Sequence, residues 1–408
     1  MFNLDFNAAS GTCMLGGEPV ILHCNHYNTI LLRTLLDPDY IDARPMLMDV
    51  AASTTHAQLS SIFAAEKVVG FAPRLKVAAE LFQFLGMGRL DFSTVGDEGG
   101  RVISSSSHYS YAWKNKFGLA QEAIAFFDAG FIAGALGAAI DADPGYFLAK
   151  QESCMAMGAS QNEFQVSIGR RHIVPPPGAG VTQAGNIPGI SVPSNIDEAK
   201  IVSALSSMPI MGNEQGLIPA FGVVLARMPA NYYNGISYGF EKLLGAAIGE
   251  EDLGASLLVE AGHACAFNTY GGIMESDEWE ALVKPMCKTR EDWLHGIIAV
   301  CNALGWGILR VHELIPNKRL VVRIYNGYEA NAYLATYGSQ AQTPKSHLAT
   351  GGVQGAMNLL YHIDITQRPQ LTHELYESVF SSPGSFVARQ TRCRAMGAEF
   401  DEFVCERE

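Results

Sequence analysis

Two histidines stand at matched places in the two halves of this 408-residue sequence, His56 before Ala57 and His263 before Ala264, at an offset of 207. Imidazole titrates near neutral pH, so such a pair could hold a metal or haem, or move protons to and from a substrate. The plainer reading is a helix histidine with its hydrogen bonds satisfied at a packed interface. His23-Cys24-Asn25-His26 offers a second candidate. Histidines at i and i+3 have metal-like spacing, but a loop pair without a third ligand nearby makes a weak site. His263-Ala264-Cys265 places an imidazole and a thiol two residues apart. On a helix those side chains diverge, so a nucleophile–base pair is not expected there. His108 and Tyr328, near predicted strands, could present polar groups to a ligand. His56 and His263 are thus the candidate catalytic residues.

These groups need elements to carry them. Helical spacing of apolar residues runs over 30–36, 53–69 and 75–85. Gly86 and Gly88 then break the period. Residues 89–93 and 101–107 alternate as strands and predict a hairpin, turned at Asp97-Glu98-Gly99-Gly100. An apolar stretch over 119–140 predicts a long helix, and 146–153 with 163–168 a closing strand pair. The stretch contains Glu122 and Asp128 and is rich in Ala and Gly, which suits a buried helix better than a membrane span. Helices, hairpin, helix, hairpin is an α+β domain.

The chain then repeats itself. Residues 144–164 and 383–403 are identical at 12 of 21 positions without a gap, among them Cys154/Cys393 and Gly158/Gly397. Matches upstream fall at smaller offsets: Tyr27-Asn28 with Tyr233-Asn234 at 206, Leu85-Gly86 with Leu304-Gly305 at 219, and Gly130/Gly134 with Gly351/Gly355 at 221. The jump to 239 marks an insertion within 358–382. The reading is two tandem repeats of one α+β unit, 1–170 and 220–408, packed as an intramolecular pseudo-dimer. Between them 171–219 is a connector marked by Pro175-Pro176-Pro177, Pro188, Pro193, Pro209 and Pro219.

Trp113-Lys114, the Gly130-Phe131-x-x-Gly134 helix and Cys393-Arg-Ala-Met-Gly397 occur in an order that resembles the 4-vinyl-reductase-like, hydrocarbon-binding domain family. The resemblance covers both halves and implies an apolar pocket beneath the helices for a small hydrophobic or aromatic molecule. It also implies a possible homo-oligomer, since the family dimerises through these elements. In the phenol sensors of that family a zinc ion has four ligands. The matching positions here are Ala125, Gln151, Cys154 and Asn162 in one half, and Ser346, Gln390, Cys393 and Asp401 in the other. One ligand of four remains in each, so structural zinc is expected to be absent and Cys154 and Cys393 to be small buried hydrophobes. The sensors hold the phenol hydroxyl with a His and a hairpin Trp. The His falls at Phe82 and Cys301, and the Trp at Trp113 and Tyr333. With His108 and Tyr328 these are the candidate ligand-binding residues.

Composition bounds the partners. A formal net charge of −13 with no Lys/Arg run argues against nucleic acid or an anionic membrane. Eight scattered cysteines without a CxxC pair suit reduced thiols, and residues 1–17 lack a charged n-region and apolar core, so a cytoplasmic protein is expected. No ATPase or helix-turn-helix pattern appears, which speaks against a one-chain transcription activator. The expectation is a protein that binds a small aromatic or hydrophobic molecule as a carrier or accessory factor. The alternative is an enzyme acting on an aromatic or tetrapyrrole-like substrate in the same pocket, with His56, His263 and haem or a metal as actors.

Overall fold

Alternation in the first twenty residues produces three strands, β1 (Asp5–Asn7), β2 (Thr12–Leu15) and β3 (Glu18–Cys24), in a computed structural model of the chain. It describes residues 2–173, 187–208, 210–380 and 382–407. Helices α1 (Asn25–Leu36), α2 (Arg44–Ala65) and α3 (Phe71–Phe84) come next, then the hairpin β4 (Gly88–Gly96) and β5 (Gly99–Ser107). After it come α4 (His108–Phe117), α5 (Phe126–Ala139), β6 (Phe147–Ser153) and β7 (Asn162–Ile168).

The rest of the chain has α6 (Glu198–Ser207), β8 (Ile218–Ala220), β9 (Val223–Pro229), α7 (Ala230–Ile248), α8 (Glu251–Glu275) and α9 (Asp277–Leu282). It continues with α10 (Arg290–Cys301), β10 (Ile308–Ile315), β11 (Arg319–Tyr325), α11 (Tyr328–Tyr337) and α12 (His347–Met357). A π-helical turn (Asn358–Ile363), α13 (His373–Phe380), β12 (Phe386–Arg392) and β13 (Asp401–Arg407) close it.

The class is α+β, with three antiparallel sheets. Two have four strands in the same relative order, β4-β5-β7-β6 and β10-β11-β13-β12. The third, β1-β2-β3-β9-β8, joins the halves through β3 and β9. At the 206-residue offset Val20 matches Ala226 and His23 matches Pro229, and the register pairs Val20 with Pro229 and His23 with Ala226. The register thus pairs each residue with the offset match of the other. Helices cross over in the same sense, α1 packing on α8 and α2 on α7. Their buried apolar residues form one continuous core through both halves, with a small satellite of Ala330, Ala341, Cys393 and Ala395.

Within each half the Gly-rich helix lies hard against its neighbour. A Cβ on Gly134 of α5 would sit 2.2 Å from the Ala52 carbonyl oxygen of α2, and one on Gly351 of α12 2.2 Å from that of Val259 on α8. Glycine permits this approach because it has no Cβ.

Two expectations shift. The predicted helix over 119–140 begins only at Phe126, because the Ala125 amide is held by Gln151 Oε1 at 3.1 Å. Trp113, His108 and Tyr328 lie on helices α4 and α11 rather than on the hairpins; the Ser107 hydroxyl caps α4, accepting from the Ser110 amide at 3.4 Å. The polyproline run and Pro209 fall outside the described residues. Residues 195–198, C-terminal to that run, grip the second half, where Asn195 bonds Asp292 and Glu198 pairs with Arg310. Residues just before β8 grip the first, with Gly88 N donating to Gly216 O at 3.1 Å. No helix among the described residues is long and apolar enough to cross a membrane.

Candidate functional site

The two halves treat the space between helices and four-stranded sheet differently. In the first, Phe82 of α3 and Phe131 of α5 meet edge to face at 4.9 Å, with Phe127 6.3 Å from Phe131, and all are buried. The matched positions in the second half are Cys301 of α10 and Gly352 of α12. There a cavity of about 30 Å³ remains. Leu294, Ile297, Leu320, Val322 and Val353 are among its apolar walls. The polar groups are few: Cys301 Sγ lies 3.6 Å from the Tyr270 hydroxyl, and Trp306 closes one side. Burial pushes the Cys301 thiol up to about 12, so it stays protonated.

Tyr270 and Trp306 are a shared wall, because both also line a smaller cavity of about 20 Å³ at the junction of the halves. Its polar side carries His23, Cys24 and Thr269. The ligand atoms of His23, Cys24 and Cys265 all lie within 4.8 Å of one another, and the three residues are buried. Cys24 ends β3 and caps α1, its sulfur accepting from the Tyr27 amide at 3.4 Å. Cys265 and Thr269 sit one turn apart on α8 and so share a face. The Thr269 hydroxyl lies 2.6 Å from Cys24 Sγ and 3.3 Å from Cys265 Sγ. The His23 ring stacks on Tyr27 and Trp306, with centroids at 4.3 and 5.0 Å. Its Nδ1 accepts from the Cys24 amide at 3.1 Å, and its Nε2 has no partner among the described residues. Burial opposes ionisation of Cys24, yet Cys265 and His23 outweigh it and hold the Cys24 thiol well below the usual cysteine range. Cys265 is pushed the other way, by burial and by Cys24.

Sequence reasoning saw His23 and His26 without a third ligand, in a presumed loop. His23 instead lies in β3, His26 lies on α1, and the partner thiol comes from α8 in the other half. Only the β3–β9 pairing and the packing of α1 on α8 bring Cys265 there, and no local signal announces it.

The sequence-predicted residues scatter. His56 of α2 is half-buried and bonds the Ala142 carbonyl at 2.7 Å. His263 of α8 is buried, with Nε2 3.1 Å from the Asn358 amide and Nδ1 3.5 Å from the Tyr376 hydroxyl. Burial pushes it down to about 4. Each histidine thus bonds within its own half, and neither lines either cavity. His108 Nε2 meets Asn28 Nδ2 at 2.9 Å, and Asn28 Oδ1 accepts from the Tyr233 hydroxyl. Trp113 packs edge-on against Phe117 at 5.1 Å, and Tyr333 against Tyr337 at 4.6 Å. The Tyr328 carbonyl accepts from Asn234 at 3.4 Å. Of the predicted ligand-binding residues, Cys301 lines the larger cavity and Phe82 fills its counterpart.

Cys154 and Cys393 are buried, and the positions matched to zinc ligands hydrogen-bond among their own elements. Gln151 Oε1 accepts from Ala125 N and Gln390 Oε1 from Ser346 N, each at 3.1 Å. Asn162 Oδ1 accepts from Met155 N at 2.7 Å and Asp401 Oδ1 from Arg394 N at 2.8 Å. The same clasp appears in both halves.

No family model and no curated protein matches the sequence. Among solved structures, the chain is similar to the crystal structure of the phenol-responsive sensory domain of the transcription activator PoxR with phenol. The TM-score is 0.36 and the identity 17%, over 40% of this chain and 84% of that one.

Proposed function

We propose that this protein binds a small aromatic or otherwise apolar molecule in the second half, between α10, α12 and the β10–β11 hairpin, where the cavity of about 30 Å³ widens by side-chain movement to admit a ring. In this reading the halves are two copies of one hydrocarbon-binding unit, and the first is scaffold. The observation that carries it is the pair of matched positions: Phe82 and Phe131 fill one space, whereas Cys301 and Gly352 leave the other open. Apolar walls favour a ligand without charge, because burying an unpaired charge costs far more than apolar burial returns. Tyr270 and Cys301 allow one polar group, such as a phenol hydroxyl. The lining of this cavity offers no histidine for acid–base work or haem ligation, which favours binding over catalysis.

Phenol and toluene titrated into the purified chain, read by thermal unfolding and tryptophan fluorescence, test the reading. Saturable stabilisation is expected, weakened more than tenfold in Gly352→Phe. Added at Gly352, a Cβ alone already meets the Tyr270 hydroxyl at 3.2 Å, so the ring must enter the cavity or displace its wall. Equal binding by the Gly352→Phe protein, or none by the wild type, overturns it.

A further inference from the structure

Two thiols and an imidazole from distant parts of the chain converge at the junction of the halves, and the aromatic-ligand reading makes no use of them. Their donor atoms lie within 4.8 Å of one another. Around one zinc ion, with Zn–S near 2.3 Å and Zn–N near 2.0–2.1 Å, tetrahedral donors stand roughly 3.5–3.8 Å apart. Closing the gap requires shifts of about 1 Å. His23, Cys24 and Cys265 are 2%, 0% and 2% exposed, and the buried Nε2 of His23 has no partner among the described residues; it becomes a metal ligand when the ring proton moves to Nδ1, which then gives up the Cys24 amide.

Charge selects the metal. Two thiolates and a neutral imidazole cancel the charge of a divalent cation, and a neutral complex suits an apolar site. Thiolate and imidazole donors suit zinc, whereas magnesium and calcium call for oxygen. The Thr269 hydroxyl, between both sulfurs, can donate to a metal-bound thiolate, as groups just outside a metal's ligands commonly do. Aromatic rings on both faces of His23 fix its plane.

We propose that His23, Cys24 and Cys265 bind one zinc ion whose fourth position is exchangeable and opens into the small cavity behind Tyr270 and Trp306. That cavity, about 20 Å³, holds one water, which needs roughly 10–15 Å³. Three protein ligands with one open position are the pattern of zinc sites that do chemistry, whereas structural sites are closed by four. The shared wall places such an ion next to the larger cavity.

The full-length chain, reduced and stripped of metal, is titrated with Co²⁺ and its absorption recorded. One equivalent is expected to give sulfur-to-cobalt charge-transfer bands, with affinity falling more than about 100-fold in Cys24→Ser and in Cys265→Ser. Cys301→Ser and Gly352→Phe are expected to leave the bands intact, which separates this site from the aromatic cavity. X-ray absorption of the zinc-loaded wild type, which needs no variant to fold, is expected to show two sulfur neighbours. Cobalt binding without sulfur bands, a zinc shell of nitrogen and oxygen alone, or a Cys24–Cys265 disulfide that persists under reductant overturns the proposal.

Discussion

The first half closes over Phe82 and Phe131, and the second keeps a cavity at Cys301 and Gly352. Strand order, the approach of the Gly-rich helix and even the clasp around Gln151 and Gln390 are alike. Two side-chain differences therefore decide whether the space between these helices and the sheet is filled or open, while the strand order stays the same. The histidines differ in a similar way. His56 reaches a single carbonyl, whereas His263 is enclosed by Asn358 and by Tyr376 of the inserted segment.

The largest expected effect comes from emptying the space that Phe131 fills. Phe131→Ala should cost about 3–5 kcal/mol in denaturant unfolding, because a buried ring is lost and a void remains. Toluene should restore part of that loss. A cost below about 1 kcal/mol would mean that Phe131 does not fill the space as described.

Next is Asp128, buried on α5 where the second half has Ala349. Burial pushes its carboxyl up to about 7, against the pull of the Ser107 hydroxyl. A group with a raised folded value contributes its stability below the unfolded value, near 4, and loses it as pH rises through 7. Each pH unit between those two values is worth about 1.4 kcal/mol, so between pH 4 and 8 the wild type should lose roughly 4 kcal/mol relative to Asp128→Asn. Parallel stability–pH curves for the two proteins would refute this.

Smaller still is the contrast between the histidines. His263→Ala should destabilise by about 2 kcal/mol and His56→Ala by about 1 kcal/mol, in keeping with the partners each loses. Equal costs would erase the distinction between the enclosed and the open histidine. Smallest are Gln151→Ala and Gln390→Ala, about 1 kcal/mol or less each. A much larger loss in one half, measured by urea midpoints, would show that the two clasps are not equivalent.

Much of the architecture was legible because it rests on local periods. Alternation gave the hairpins, helical spacing placed α1 to α3, and the Gly-x-x-x-Gly pairs pointed to close helix contact. Boundaries were less legible. The start of α5 depends on a side chain from β6, and α4 begins where it does because Ser107 caps it.

The candidate site was read in part. Phe82 and Cys301 were flagged as a matched pair, but their meaning required Phe131 and Gly352, which meet them only across the helices. His56 and His263 drew attention by position, yet each faces the end of its own Gly-rich helix rather than a cavity.

The amino-acid order alone thus determined the α+β class and the recurrence at 144–164 and 383–403, since both are properties of residue type and spacing. Tertiary structure alone decided that Phe82 meets Phe131 while Cys301 borders a cavity, and that Cys265 meets His23 and Cys24. Both depend on where side chains from distant segments point, and the β3–β9 pairing and the crossing of α1 on α8 set those directions over separations that no local period encodes.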